Sequence, residues 1–295
     1  MRSPQPTERS AEEKVSRCSV GPVMKPPLTK DTQLCISLAA RPSNIGTMFH
    51  NHLYDELGLD FIYKAFTTTD IAAAIAGVRA LGIRGCSVSM PFKRDVIALV
   101  DEVEDSARAI DAVNTIVNND GRLTASNTDY LAVRTLIADN HSYAQAPVVI
   151  RGSGGMARAV GTAFRDAGFR DGTIVARNPK AGRELAERLG YTWRTDVGSV
   201  TAPVIVNATP IGMAGGNEHD QIVFQTAVIE HADVVFDVVA APAETPLVAA
   251  ARAAGKRVIT GAEVIALQAA EQFERYTGVR PTHEQILAAS SMSRA

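Results

Sequence analysis

The sequence predicts an α/β protein of two domains, the second built on a doubly wound parallel sheet. Three observations carry this. Short apolar runs alternate with segments of helical period from Asp31 onward, the pattern of strands joined by crossover helices. A glycine cluster, Gly152-Ser153-Gly154-Gly155, stands between a strand-type run and a helix-type run. The chain has 295 residues and is 46% hydrophobic, enough for more than one core.

Residues 1–30 differ from the rest. They hold Pro4, Pro6, Pro22, Pro26 and Pro27 among charged and small residues, with no sustained period and no apolar core of a secretory signal. They read as a disordered extension, and Met24, just ahead of the first strand, is an alternative start. The first domain, 31–128, opens with a strand at Gln33 to Leu38. A helix is expected from Ile45 to Leu57, with Met48, Phe49, Leu53 and Leu57 at helical spacing and a stop at Gly58. Phe61 to Phe66 is a second strand. Thr69 or Asp70 caps a helix from Ile71 to Leu81, which ends at Gly82. Gly85 to Ser89 is a third strand, and a helix is expected from Lys93 to Val100 behind Pro91. Asn119-Asp120-Gly121 between Thr115–Val117 and Leu123–Ser126 signals a hairpin.

A helix from Asp129 to Asp139 bridges to the second domain, 129–261. There the expected strands are Val148–Arg151, Thr173–Ala176, Pro203–Asn207, Val234–Val239 and Arg257–Ile259. Helices are expected at Met156–Ala167 and Ala181–Leu189. A last long helix runs from Ala262 to Tyr276, with a further one at Thr282–Ala289. The segment 262–295 is expected to pack back on the first domain, which turns Gln268 toward the cleft.

Bulk properties exclude several classes. The net charge of −2 argues against a general nucleic-acid binder, which carries a large basic excess. No apolar run approaches the ~20 residues of a spanning helix, so no membrane role is expected. Cys18, Cys35 and Cys86 are odd in number and widely spaced, which suits a reducing cytoplasm better than a disulfide framework or zinc site. No metal is expected: His50 and His52 are two apart and do not share a helix face. Trp193 reads as a packing residue. The expected partner is a small-molecule substrate, and the chain a monomer or homodimer.

Gly152, Gly154 and Ala157 satisfy G-x-G-x-x-G/A between strand and helix. The first glycine permits a tight turn, the second lets backbone approach a pyrophosphate, and the small third residue lets helix and strand pack closely. Gly155 and Met156 open the same helix. The next strand ends Val175-Ala176-Arg177-Asn178-Pro179-Lys180, without the acidic residue that takes the ribose 2′-hydroxyl of NAD. Arg177, with Lys180 near it, suits a 2′-phosphate instead, so the expected cofactor is NADP. Lys93, after a Pro-Phe turn, and Asp129, at a helix mouth, form the candidate catalytic pair. Oxidising an alcohol requires removing its hydroxyl proton as hydride leaves. An adjacent carboxylate raises a lysine pKa, so the pair is expected to share the proton and orient the hydroxyl, while burial and the cofactor's cationic ring lower the lysine.

Six ordered motifs resemble the shikimate dehydrogenase superfamily, and the resemblance spans Asp31 to Gly278. Ser87-Val88-Ser89-Met90-Pro91-Phe92-Lys93 is similar to that family's N-V-T-x-P-x-K, Ala112–Thr115 to A-V-N-T, and Asn127-Thr128-Asp129 to N-T-D. Asn207–Met213 resembles N-x-T-P-x-G-M, Asp237–Pro246 resembles D-x-x-Y-x-P-x-x-T-P, and Gly261–Gln268 has the spacing G-x-x-x-L-x-x-Q. The resemblance implies that Lys93 and Asp129 are catalytic and that Ser87, Ser89, Asn114 and Gln268 hold the substrate. It further implies that Gly152, Gly154, Gly155, Arg177, Asn207, Thr209, Met213 and Gly261 line the cofactor.

The departures concern the substrate end. The family's S-x-S-P loop is here Asn44-Ile45-Gly46-Thr47, and its D-x-x-Y tyrosine is Ala240. Ser43, Asn44 and Thr47 are candidates to rebuild a carboxylate site. Arg41-Pro42-Ser43-Asn44-Ile45-Gly46-Thr47 resembles the shikimate dehydrogenase-like branch. Three readings follow: an NADP-dependent dehydrogenase of shikimate or a related cyclic polyhydroxy acid; an NADP(H) or metabolite sensor without efficient turnover; and a dehydrogenase for an amino- or quinate-type analogue.

Overall fold

A computed structural model describes residues 25–139 and 146–294. The extension expected over 1–30 falls largely outside the described residues, as do Met24 and Cys18.

The first domain follows the order β1 (Gln33–Ala39), α1 (Ile45–Glu56), β2 (Phe61–Thr67), α2 (Ile71–Ala80), β3 (Gly85–Val88), a 3-10 turn (Asp95–Leu99), β4 (Glu102–Val103), α3 (Asp105–Arg108), β5 (Thr115–Asn119) and β6 (Arg122–Ser126). Its sheet has the order β2-β1-β3-β5-β6-β4. The β1–β2 and β1–β3 pairs are parallel, while β3–β5 and β5–β6 are antiparallel. Asp120 (φ 51°) and Gly121 (φ 89°) make the expected hairpin turn, the left-handed geometry that matches strand twist. Asp70 caps α2 by accepting from the Ala73 N–H.

Next come α4 (Thr128–Ala138), β7 (Val148–Arg151), α5 (Gly155–Asp166), β8 (Gly172–Val175), α6 (Pro179–Leu189), β9 (Thr192–Arg194), β10 (Val204–Asn207), α7 (Thr226–His231), β11 (Val234–Asp237), α8 (Pro246–Ala253) and β12 (Arg257–Thr260). All five strand pairs of this sheet are parallel, in the order β12-β11-β10-β7-β8-β9. The order reverses at β7, where ligands bind beyond the carboxyl ends of such sheets. The architecture is therefore two-domain α/β with a Rossmann-type second sheet.

Three helices tie the halves together. α4 buries Tyr130, Val133 and Ile137 in the core around β7 and α5. α9 (Gly261–Thr277) and α10 (His283–Met292) return to the first domain, where Phe273, Tyr276 and Ile286 pack with Phe49, Tyr54 and Tyr63. The approach is close at Gly85, where a Cβ would collide with the Tyr276 ring.

The helix expected over Lys93–Val100 is replaced by the 3-10 turn at Asp95–Leu99. The Lys93 carbonyl accepts from the Val113 N–H at 2.7 Å, while the Ile97 N–H donates to Arg94 O at 3.1 Å, the i→i+3 spacing of a 3-10 turn. The short elements β4, α3 and β9, and the helices α7 and α8, add to the expected set.

Candidate active site

The β5–β6 hairpin brings two polar segments side by side, with Thr115 opposite Ser126. Asn127 caps α4, accepting from the Tyr130 N–H at 3.0 Å while its amide donates to the Ala112 carbonyl. This fixes Asp129 in the first turn of α4, where the positive end of the helix dipole favours a carboxylate. Lys93 Nζ lies 2.7 Å from Asp129 Oδ2. The lysine side chain is 31% exposed and the aspartate 13%, so the lysine is partly open to a ligand while the aspartate is largely buried.

The pair lies on the wall of a cavity of about 440 Å³. Ser87 and Ser89 from the end of β3, Asn114, and Gln268 from α9 line it too. Asn114 is buried, and its Oδ1 accepts from the Thr128 N–H and the Thr115 hydroxyl, each at 2.8 Å. That leaves its amide hydrogens for the cavity. Gln272, one turn beyond Gln268, donates to Thr115 Oγ1 at 3.0 Å.

The floor of the cavity is aromatic. Tyr63 from β2 is buried, and its hydroxyl is flanked by Ser37 and Ser87; burial holds the phenol well above its ordinary range. A Cβ at Gly46 would stand 3.5 Å from that hydroxyl. The space vacated by a side chain at position 46 is thus bordered by a phenol. Tyr63 stacks on His50 at 4.4 Å.

A second cavity, about 270 Å³, opens beyond β7 and is lined by Gly152, Ser153, Gly154, Arg177, Asn178 and Thr209 among others. Gly152 has φ +131°, and a Cβ there would fall 2.6 Å from the Ala208 carbonyl oxygen. Ala157 is buried, with its methyl 3.3 Å from the same point. The bare glycine loop ahead of α5 presents a helix N-terminus to this cavity, a site for a pyrophosphate. Arg151 and Arg177 supply positive charge at its edge. The loop after β10 is braced by Asp237, fully buried, which accepts from Asn207 at 2.9 Å, the Val239 N–H at 3.0 Å and the Thr245 hydroxyl at 2.6 Å. Burial pushes the Asp237 carboxyl up, and those three hydrogen bonds oppose the shift.

Comparison with known proteins agrees with this geometry. Residues 44–116 match the shikimate dehydrogenase substrate binding domain. A shikimate dehydrogenase-like protein of Haemophilus influenzae is 55% identical over 267 residues, covering 90% of this chain and 98% of that protein. The chain belongs to the shikimate dehydrogenase family. The solved structure of a shikimate 5-dehydrogenase-like protein, 54% identical, superposes with a TM-score of 0.89 over 91% of this chain and 100% of that one. Shikimate 5-dehydrogenase of Thermus thermophilus, solved with NADP(H) and shikimate, is 28% identical with a TM-score of 0.78, covering 88% of this chain and 100% of that one.

Not every candidate position lines a cavity. Asn207 does not reach the cofactor cavity: it is fully buried, its amide donates to Ile211 O and Asp237, and its Oδ1 accepts from the Thr209 N–H and hydroxyl. It shapes the loop that Thr209 presents. Met156 lines the substrate-side cavity rather than the dinucleotide one. Of Ser43, Asn44 and Thr47, only Ser43 lines the first cavity. Asn44 starts α1 with no side-chain cap bond, and the Thr47 hydroxyl is buried without a partner. Arg41, Ile45 and Gly46 take the wall positions instead. Gly155, Lys180, Met213 and Gly261 are not among the residues lining the dinucleotide cavity. Met213 is 43% exposed, and Gly261 packs so tightly against the Val238–Val239 backbone that a Cβ there would collide with it.

Tyr63, Ser37 and Gln272 were not expected at the site. Gln272 had a signal: it is four residues after Gln268 and shares its helix face. Among the described residues no cluster of metal-ligating side chains occurs, and no helix is long and apolar enough to cross a membrane.

Proposed function

We propose that this chain is an NADP-dependent dehydrogenase that exchanges hydride with one secondary alcohol of shikimate or a related cyclic polyhydroxy carboxylic acid. The observation that carries the reading is the 2.7 Å Lys93–Asp129 pair on the wall of a polar cavity, beside a glycine loop at a sheet switch point. The dinucleotide fits what is present: backbone approach at Gly152 that a Cβ would block, and two arginines at the cavity edge. Gly152, Gly154, Arg177 and Thr209 would hold it. When bound it supplies the hydride acceptor or donor.

The chain's own residues do the rest. Lys93 Nζ, as the free amine, takes the proton of the reacting hydroxyl as the C–H bond gives up hydride, and the ammonium so formed returns it in the reverse direction. Asp129 fixes the ammonium and offers a second oxygen to the substrate. Asn114 and Gln268 orient neighbouring hydroxyls. Tyr63, Ser87 and Arg41 line the same cavity as Gly46 and would take the carboxylate. That end is built differently from the two-serine loop of the family, so an analogue with a different ring substituent is the second reading. Lysine removal should separate turnover from a mere sensor. For Lys93→Ala we expect kcat to fall by roughly 10²–10⁴-fold, the range for positioned acid–base groups, with NADP+ affinity unchanged within about twofold. Reduction of NADP+ would be followed with shikimate, quinate and amino analogues. If no cyclic polyhydroxy acid is oxidised, or if the alanine variant keeps wild-type kcat, the assignment is wrong.

A further inference from the structure

We propose that Glu218 sets the dinucleotide preference of this site, by competing with a 2′-phosphate for Arg177 and by offering an acceptor to a 2′-hydroxyl. The proposal rests on reading the cavity at Gly152 and Arg177 as the dinucleotide site. Strand β8 ends without an acidic side chain, yet an acidic side chain is delivered there from 41 residues further along. Glu218 Oε1 and Oε2 accept from the two terminal nitrogens of Arg177 at 3.1 and 3.2 Å. This two-pronged pairing is the one a phosphate would use.

The carboxylate is the fixed partner. The Glu218 side chain is 29% exposed against 69% for Arg177. Its backbone carbonyl accepts from the Gly212 N–H at 2.9 Å. That ties Glu218 to the turn that follows Thr209, Pro210 and Ile211, all of which line the cavity. Arg151, on the same cavity, feels both charges: burial and Arg177 lower its pKa while Glu218 raises it. Two guanidiniums and one carboxylate therefore share this corner.

The consequence is chemical. A 2′-phosphate, carrying up to two negative charges, must displace Glu218 from the guanidinium or sit beside it against like-charge repulsion. A 2′-hydroxyl can donate to Glu218 while Arg177 stays paired. Glu218 thus weakens NADP, supports NAD and narrows the discrimination that Arg177 alone would give. It supplies from another loop the acid that NAD sites place after the second strand.

Titration calorimetry of the full chain with NADP+ and NAD+ tests this without relying on turnover. For Glu218→Gln we expect NADP+ to bind about threefold to fivefold more tightly and NAD+ to bind more weakly, the upper scale of one partly exposed charge pair. Glu218→Ala should move the ratio the same way, and melting curves for both should match the wild type. Arg177→Ala should weaken NADP+ at least about tenfold, through loss of a charge-assisted pair, and leave NAD+ within about twofold. An NADP+/NAD+ ratio in both Glu218 variants within about twofold of wild type overturns the role of Glu218. The dinucleotide site itself would still stand if Arg177→Ala weakened NADP+. If the wild-type chain binds neither dinucleotide, that underlying reading falls and this one with it.

Discussion

Gly152→Ala tests the cradle directly, because the structure sets its cost on two separate grounds. The first is backbone. Gly152 adopts φ +131°, a region almost confined to glycine, and holding an alanine there costs about 1–3 kcal/mol. The second is space. The new methyl would stand 2.6 Å from Ala208 O and 2.9 Å from Ala208 C, and neither side can yield cheaply. The Gly152 N–H donates to Val175 O at 2.8 Å, and the Ala208 N–H donates to Arg151 O at 2.8 Å. Relief would pull apart the strand ends on either side of β7. Overpacking of this kind costs a further ~1–3 kcal/mol, so the sum is about 2–6 kcal/mol. Urea unfolding followed by circular dichroism gives the stability loss, and calorimetry with NADP+ gives the accompanying loss of affinity. Gly154→Ala is the control. Gly154 has φ −79°, and a methyl added there would have nothing within 4 Å. Its stability should stay within about 0.5 kcal/mol while NADP+ binding weakens. A Gly152→Ala protein within about 1 kcal/mol of wild type, or one that binds NADP+ normally, would refute this account of the loop.

Two further predictions concern the substrate end. Tyr63→Phe keeps the ring stacked on His50 and removes the hydroxyl; kcat/KM for a carboxylate substrate should fall about 10–100-fold, with NADP+ affinity unchanged in calorimetry. Asn114→Asp keeps the acceptor that holds Thr128 and Thr115 but replaces cavity-facing amide hydrogens with charge. It should fold as wild type by circular dichroism and raise KM for an anionic substrate by at least about tenfold, and an unchanged KM would remove Asn114 from the binding site.

The parts of the fold visible in sequence were those set by local rules. Val148–Arg151 and Val204–Asn207 are nearly continuous apolar runs, as strands buried on both faces must be, and Asp70 and Asp120-Gly121 carry their own cap and turn chemistry. β9 escaped because Thr192-Trp193-Arg194 is a short, half-polar edge strand. α8 had a usable signal in Thr245-Pro246, a cap followed by an N1 proline. At the site, Lys93 and Asp129 were legible through ordered motifs. Tyr63, Ser37 and Glu218 were not, since each reaches its place through pairing between distant segments. Asn207 shows the converse: a residue can belong to a motif while its side-chain hydrogen bonds go to the loop it sits in.

His50 offers a test of the floor beneath the cavity. Its ring is fully buried among Tyr63, Phe273, Phe49, Tyr54 and Tyr276, and neither ring nitrogen has a hydrogen-bond partner. Burial lowers its pKa to about 3 from the ordinary 6.5, with the Gln272 side chain offsetting only part of the shift. Between those values the unfolded chain takes up a proton that the native protein refuses. The associated stability is therefore complete above pH 6.5 and is lost as pH falls toward 3. The slope approaches ~1.4 kcal/mol per pH unit, so lowering pH from 7 to 5 should remove about 2 kcal/mol through this residue. The tyrosines and Cys35 that surround or adjoin the ring have pKa values raised by burial and do not titrate in this window. His50→Phe keeps an aromatic ring in the stack and has nothing to protonate. Urea unfolding at pH 7, 6 and 5 should show wild type losing about 2 kcal/mol more than the phenylalanine variant. Parallel slopes would mean that the imidazole is protonated in the native state, and so that water or a polar partner reaches it from the cavity side past Tyr63. In that case the phenol is not the sealed floor that its contact with Gly46 implies, and the substrate end would have to be deeper than the structure shows.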